Sequence, residues 1–253
     1  LRPLLYEQEG RVEEAIGLFE EIVKKFERNF FVKEKLMILY AEKKDYLKLY
    51  GLSSKYSSEN NRSLLGKVYY AIAAMELMKY DIAESEFKKA LILSGNDDNL
   101  KFQVLNMIAD LNYRKKDFEN SFRYIEEALE IIPDDVGTLN NYAYYLAESN
   151  MELQKALKMA ESVVARDRRS TCLDTYAWVL YKQKKFREAH KIMKEIFERE
   201  KVEDPEINEH MGYILEKMDK CVDAVEFWRK AIEQDSTKIY LNKEINQCLQ
   251  EKQ

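Results

Sequence analysis

Apolar residues recur along this chain at spacings of three and four, interrupted every dozen or so positions by a short polar cluster. Residues 139–148 read "LNNYAYYLAE" and residues 173–186 read "LDTYAWVLYKQKKF", both without glycine or proline. In each, a leucine is followed by two polar residues, a tyrosine, an alanine and an aromatic, which is the pattern of an amphipathic helix. The two stretches lie 34 residues apart.

A small residue inside an aromatic helix recurs as Ala71, Ala109, Ala143, Ala177 and Gly212, with steps of 38, 34, 34 and 35. A second series follows twelve or thirteen positions later: Ala83, Ser121, Ala156, Ala189 and Ala224. A third follows about seven residues further on: Ala90, Ala128, Val163, Ile196 and Ala231. Lysine-rich turns separate the first two series, as in "KYD" at 79–81, "KKDF" at 115–118, "KKF" at 184–186 and "KMDK" at 217–220. Small residues at these positions let two helix axes approach closely, while Leu, Tyr and Phe fill the surrounding grooves.

The pattern resembles the tetratricopeptide repeat, a helix–turn–helix unit of 34 residues. Its clearest copy spans residues 102–135, with Leu105, Ile108, Ala109, "KKDF", Ser121, Ala128 and Pro133. Another runs from Pro205 through Gly212, Leu215, Ala224, Trp228 and Ala231. The resemblance implies an all-α, right-handed superhelical solenoid, with each unit burying its apolar face on the next. The predicted layout is one solenoid over 1–253: a truncated repeat at 1–29, then repeats at 30–61, 64–96, 102–135, 136–169, 170–204 and 205–236. In the second of these Met37 takes the contact position and Leu49 replaces the later small residue; the first contributes Ala15 and Phe19. Residues 95–101, "GNDDNLK", are expected to form a longer loop. Residues 237–253 are expected to cap the stack through Ile239, Leu241, Ile245 and Leu249.

In this family the first helix of each unit lines the concave face. Carried over by position, the resemblance assigns Asn106, Asn140, Asp174 and Glu209 to one column of that face. Asp110, Tyr144, Trp178 and Tyr213 form a second column, and Tyr113, Ala147, Tyr181 and Glu216 a third. The partner-binding residues expected are therefore Asn106, Asp110, Tyr113, Asn140, Tyr144, Asp174, Trp178, Tyr181, Glu209 and Tyr213. The other reading of Trp178 and Tyr144 is packing against the next helix, since large aromatics are mostly buried. One variant of the fold grips a terminal carboxylate with Lys, Arg and Asn; these columns contain no Lys or Arg. Their acidic members instead suit a neutral or basic peptide.

Composition narrows the classes. About 46% of the residues are apolar and 34% charged, with only 7 Gly and 3 Pro, which fits a folded, soluble, helical chain. A net charge of −5 argues against a nucleic-acid binder, and no run of about 20 apolar residues is present to span a membrane. The run Arg166, Arg168, Arg169 is broken by Asp167 and reads as a solvated helix end. Cys172, Cys221 and Cys248 show neither metal nor disulfide-framework spacing and read as buried or idle thiols. His190 and His210 lack a recognisable nucleophile or metal motif nearby, and no glycine-rich phosphate loop exists, so neither an enzyme nor a cofactor is expected.

The function expected is a scaffold holding a protein or peptide, monomeric in solution. The alternative is an architectural subunit assembling through outer faces or repeat ends, or the recruiting arm of a larger protein. The signatures at 139–148 and 173–183 are similar to those of bacterial tetratricopeptide proteins, many exported or lipoprotein-anchored, which leans the expectation toward the bacterial envelope. The chain opens at Leu1 inside a repeat, so native sequence is expected to precede it, whether a signal, an anchor or more repeats.

Overall fold

The computed structural model describes Pro3, Tyr6, residues 10–199 and residues 201–250. Among the described residues, fourteen α-helices of nine residues or more are present and no strand. They run α1 Val12–Lys25, α2 Phe30–Glu42, α3 Tyr46–Glu59, α4 Leu64–Glu76, α5 Tyr80–Ser94, α6 Asp98–Arg114, α7 Phe118–Ile131, α8 Val136–Glu148, α9 Leu153–Arg166, α10 Ser170–Lys182, α11 Phe186–Arg199, α12 Pro205–Glu216, α13 Cys221–Gln234 and α14 Asn242–Gln250. A 3-10 turn, Ser236–Leu241, precedes the last. The helices fall into two compact units, one up to Pro133 and one from Asp134.

The turns show how the sequence writes the repeat. Lys44, Met78, Lys116, Asn150, Lys184 and Asp219 all hold left-handed backbone, φ between 54° and 63°, at the same phase of successive units. At each, two backbone bonds close the end of a first helix. Lys116 N–H donates to Tyr113 and Asp117 N–H to Asn112, both at 2.9 Å; Lys184 and Lys185 do the same to Tyr181 and Leu180. These are Schellman closures, which satisfy carbonyls that the helix end would orphan. Beginnings are signalled as clearly. Asn29, Asp45, Ser63, Asp97, Asp117 and Asp135 each accept an amide of the first turn through the side chain.

All three small-residue series are buried, in both units. In the unit up to Pro133, α2, α4 and α6 pair with α3, α5 and α7, and α2 also meets α4. Met37 and Leu49 are fully buried there, as are Ala15 and Phe19 of α1. In the unit from Asp134, α8, α10 and α12 pair with α9, α11 and α13, and α8 meets α10, which meets α12. First helices thus lie side by side. Gly212 shows why a small residue is needed there: a Cβ at this position would stand 2.3 Å from Nε1 of Trp228.

Three expectations need correction. The four extra residues at 95–101 do not lengthen a loop. Gly95 turns with φ +56°, Asp97 caps, and the extra residues extend α6 to 17 residues. The cap uses Leu241, Ile245 and Cys248 as its buried stripe, while Ile239 and Leu249 are exposed, because the segment opens as a 3-10 turn and shifts phase. Cys221 and Cys248 are joined as a disulfide, with Cα atoms 5.4 Å apart. Their separation of 27 residues has no local signature; α14 doubling back along α13 brings them together. Cys172 is a free, buried thiol. Residues 251–253 of the expected cap and most of residues 1–9 lie outside the described residues.

Candidate functional site

The first helices of the unit from Asp134 surround a cleft of about 260 Å³. Asn140, Asn141, Tyr144 and Tyr145 of α8 form one wall, and Thr171, Asp174 and Thr175 of α10 the base. Asp204, Glu206 and Ile207 at the start of α12 close the other side. Asp204 is fixed as the N-cap of α12, accepting from the amides of Glu206 and Ile207, and Pro205 sets the first helical φ. The phenol of Tyr144 donates to Glu206 Oε1 at 2.5 Å, bridging the two walls. Asn140 Oδ1 is buried at this cleft without a hydrogen-bond partner.

Beneath the cleft runs a stack of rings. His210 Nδ1 lies 3.0 Å from both carboxylate oxygens of Asp174. The His210 ring lies 3.9 Å from Trp178, nearly parallel, and Tyr181 covers Trp178 from another side at 4.6 Å. Trp178 Nε1 donates to Glu148 Oε1 at 2.6 Å, and Lys182 pairs with that carboxylate oxygen at 3.1 Å. Tyr213 continues the stack toward Trp228. Burial pulls the His210 imidazole down, but the Asp174 carboxylate outweighs it, so its pKa lies above the usual histidine value. Burial also pushes the Tyr181 phenol up to about 12. An Asp–His pair is half of a nucleophile-activating arrangement. Here both members are nine-tenths buried under the tryptophan, and no hydroxyl or thiol joins them among the hydrogen bonds of His210.

The expected binding residues therefore divide. Asn140 and Tyr144 line the cleft, and Asp174 reaches its base. Trp178 is only 6% exposed and belongs to the stack. Tyr181 and Tyr213 are half-buried beside it. Glu209 is buried by the end of the chain: Lys238 reaches it at 2.5 Å and the Tyr240 phenol at 2.9 Å. In the unit up to Pro133, Asn106 donates to the Phe102 carbonyl, Asp110 accepts from Arg114, and Tyr113 packs on Phe118. Asn141, Thr171, Asp204 and Glu206 escaped the sequence reading. The signal for the last two was present, since Asp-Pro-Glu at 204–206 marks an acidic helix start. Among the described residues, no group of His, Cys, Asp and Glu has the makings of a metal site, and no helix is long and apolar enough to cross a membrane.

No protein-family model matches the sequence, and no curated protein matches it. Solved structures do. A tetratricopeptide repeat protein from Parabacteroides merdae superposes with a TM-score of 0.82 over 98% of this chain and 96% of its own, at 12% identity. Cut9, in the APC/C hetero-tetramer Cut9-Hcn1, gives 0.76 at 10% identity; this chain covers 48% of it. PilW, a type IV pilus biogenesis factor, gives 0.60 at 17% identity over 72% of this chain and 84% of that one. The fold is that of the tetratricopeptide proteins, as the repeat signature implied.

Proposed function

We propose that this chain is a non-catalytic scaffold that holds an extended, neutral or basic peptide segment of a partner protein in the cleft between α8, α10 and α12. The observation that carries the reading is the cleft itself. It joins an unpaired buried acceptor, Asn140 Oδ1, to the exposed carboxylates of Asp204 and Glu206 and the flat face of Tyr144. A peptide backbone supplies the donor that the asparagine lacks, and a basic side chain meets the carboxylates. Rings stacked below give the cleft a rigid base, which lowers the ordering cost of binding. Cut9 is seen in a hetero-tetramer with Hcn1, so a protein of this fold does serve in an assembly. The buried Asp174–His210 pair supports a structural role for the one catalytic-looking dyad.

The test uses fluorescein-labelled hexapeptide pools of Gly, Ala and Leu carrying either two Lys or two Glu. Anisotropy should show saturable binding of the lysine pool, weakening with salt. Glu206→Lys and Tyr144→Ala should each lower affinity about tenfold, or about 1.4 kcal/mol, with the helical circular dichroism retained. Equal binding by wild type and both variants, or no binding of the lysine pool, overturns the proposal.

A further inference from the structure

Position 208 breaks a column that the three preceding repeats fill with leucine. The equivalent residues of the three preceding repeats are Leu105, Leu139 and Leu173, two of them fully buried. Lys33 and Lys67 hold the column in the earlier repeats, and each is fully engaged. Lys33 reaches Glu59 at 2.5 Å; Lys67 reaches Ser57 at 2.7 Å and Glu86 at 3.3 Å. Asn208 is engaged only by half. Its Nδ2 donates to the Asp204 carbonyl and to Gln234 Oε1, both at 2.9 Å, while Oδ1 has no partner although the residue is 1% exposed. Both bonds of the side chain run through Nδ2, so the hydrogen bonding of the repeat uses the amide nitrogen and leaves the buried oxygen unexplained.

Asn208 lines a cleft of about 680 Å³ with Phe197, Lys201, Val202, Glu203, Lys230 and Gln234. That volume lies within the range of about 300–1,000 Å³ typical of ligand sites. This is a different site from the one above: Asn208 stands two residues, or about 200° around α12, from Glu206. Its charge is also opposite. Lys201 is answered by Glu203 at 2.5 Å, but Lys230 touches only the ring face of Phe227 and has no carboxylate partner among the described residues. Phe227 in turn holds Phe197 edge-on at 5.0 Å, which fixes the apolar wall.

We propose that this second cleft binds an acidic, extended peptide segment. One backbone N–H of the segment donates to Asn208 Oδ1. A Glu or Asp side chain pairs with Lys230, and an apolar side chain lies on Phe197 and Val202. The chain then presents an acidic cleft and a basic cleft on opposite sides of one helix, and holds two segments of opposite charge at once.

The same two hexapeptide pools test this by anisotropy. The glutamate pool should bind wild type saturably. Asn208→Leu, which restores the residue of the neighbouring repeats, should raise the melting temperature and lower glutamate-pool affinity at least tenfold. Lys230→Glu should lower it comparably with no change in melting temperature. Glu206→Lys should leave it unaltered, which separates this site from the α8–α10–α12 cleft whatever becomes of that one. Failure of the glutamate pool to bind overturns the proposal, as does unchanged affinity in Asn208→Leu. A raised melting temperature with no change in peptide binding would assign the asparagine oxygen to a structural water.

Discussion

The first helices of the two units carry the same columns with different chemistry. In the unit up to Pro133, Asp110 is tied to Arg114, which also reaches Glu76 of α4 at 3.0 Å. Partly exposed charge pairs thus link neighbouring helices there. In the unit from Asp134, the same columns hold Tyr144, Trp178 and Tyr213, and the charged group between them, Asp174, is buried against His210. Rings fill the space between helices, and a cleft stays open above them. The repeat decides which positions reach this side of a unit. The residue placed there decides whether it is laced by ions or packed by rings, and only the second arrangement leaves the α8–α10–α12 cleft with a rigid base.

Removing the central ring should separate the units most. Trp178→Ala deletes a buried side chain stacked between two rings, those of Tyr181 and His210, and should cost about 3–5 kcal/mol. Tyr113→Ala, half-buried in the other unit, should cost about 1 kcal/mol. Both tryptophans, Trp178 and Trp228, lie after Asp134, so denaturant unfolding followed by tryptophan fluorescence reads that unit alone, while circular dichroism reads both.

A methyl group gives the next contrast. Gly212→Ala drives a Cβ into the buried Trp228 indole and should cost about 1–3 kcal/mol by overpacking. Gly17→Ala in α1 meets nothing within 4 Å and should instead stabilise by up to about 1 kcal/mol. Thermal unfolding of the two variants should shift in opposite directions.

Histidine proton linkage should be confined to one unit, because both histidines lie in it. His210 has its pKa raised in the fold, so its stabilisation is complete below the unfolded value of about 6.5. That stabilisation is lost as pH rises through the higher folded value. His190 is the opposite case: burial first, then Lys220 and Lys194, push its pKa down. Its unfavourable contribution appears as pH falls below about 6.5. His210→Gln should therefore flatten the stability profile above that pH and His190→Gln below it, as measured by urea midpoints from pH 5 to 8.

The turns should show no contrast between units, and the smallest effect. Lys44→Gly and Lys184→Gly relieve a left-handed residue but loosen the unfolded chain, two terms of about 1 kcal/mol that oppose each other. Each unfolding free energy should change by no more than about 0.5 kcal/mol, equally in both units.

Periodicity made the architecture legible, because helix contacts in a repeat are local and recur in phase. Ala71 to Gly212 could be aligned without any knowledge of space, and every member is buried. Chemistry between repeats was less legible. Whether Trp178 faces a groove or a neighbour depends on His210, 32 residues away, and on Glu148, 30 residues the other way. The Cys221–Cys248 bond depended likewise on how the last helix folds back. Asn208, which follows leucines at 105, 139 and 173, drew no attention in the sequence, because its unpaired oxygen exists only in three dimensions.

The most direct test of the scaffold assignment is a ¹H–¹⁵N NMR titration of the intact chain with the lysine hexapeptide pool. Saturable shifts should gather on Asn140, Asn141, Tyr144, Thr171 and Glu206, leaving the amides of α6 and α13 in place. Shifts centred on α6 or α13, or no saturable shift at all, would contradict it.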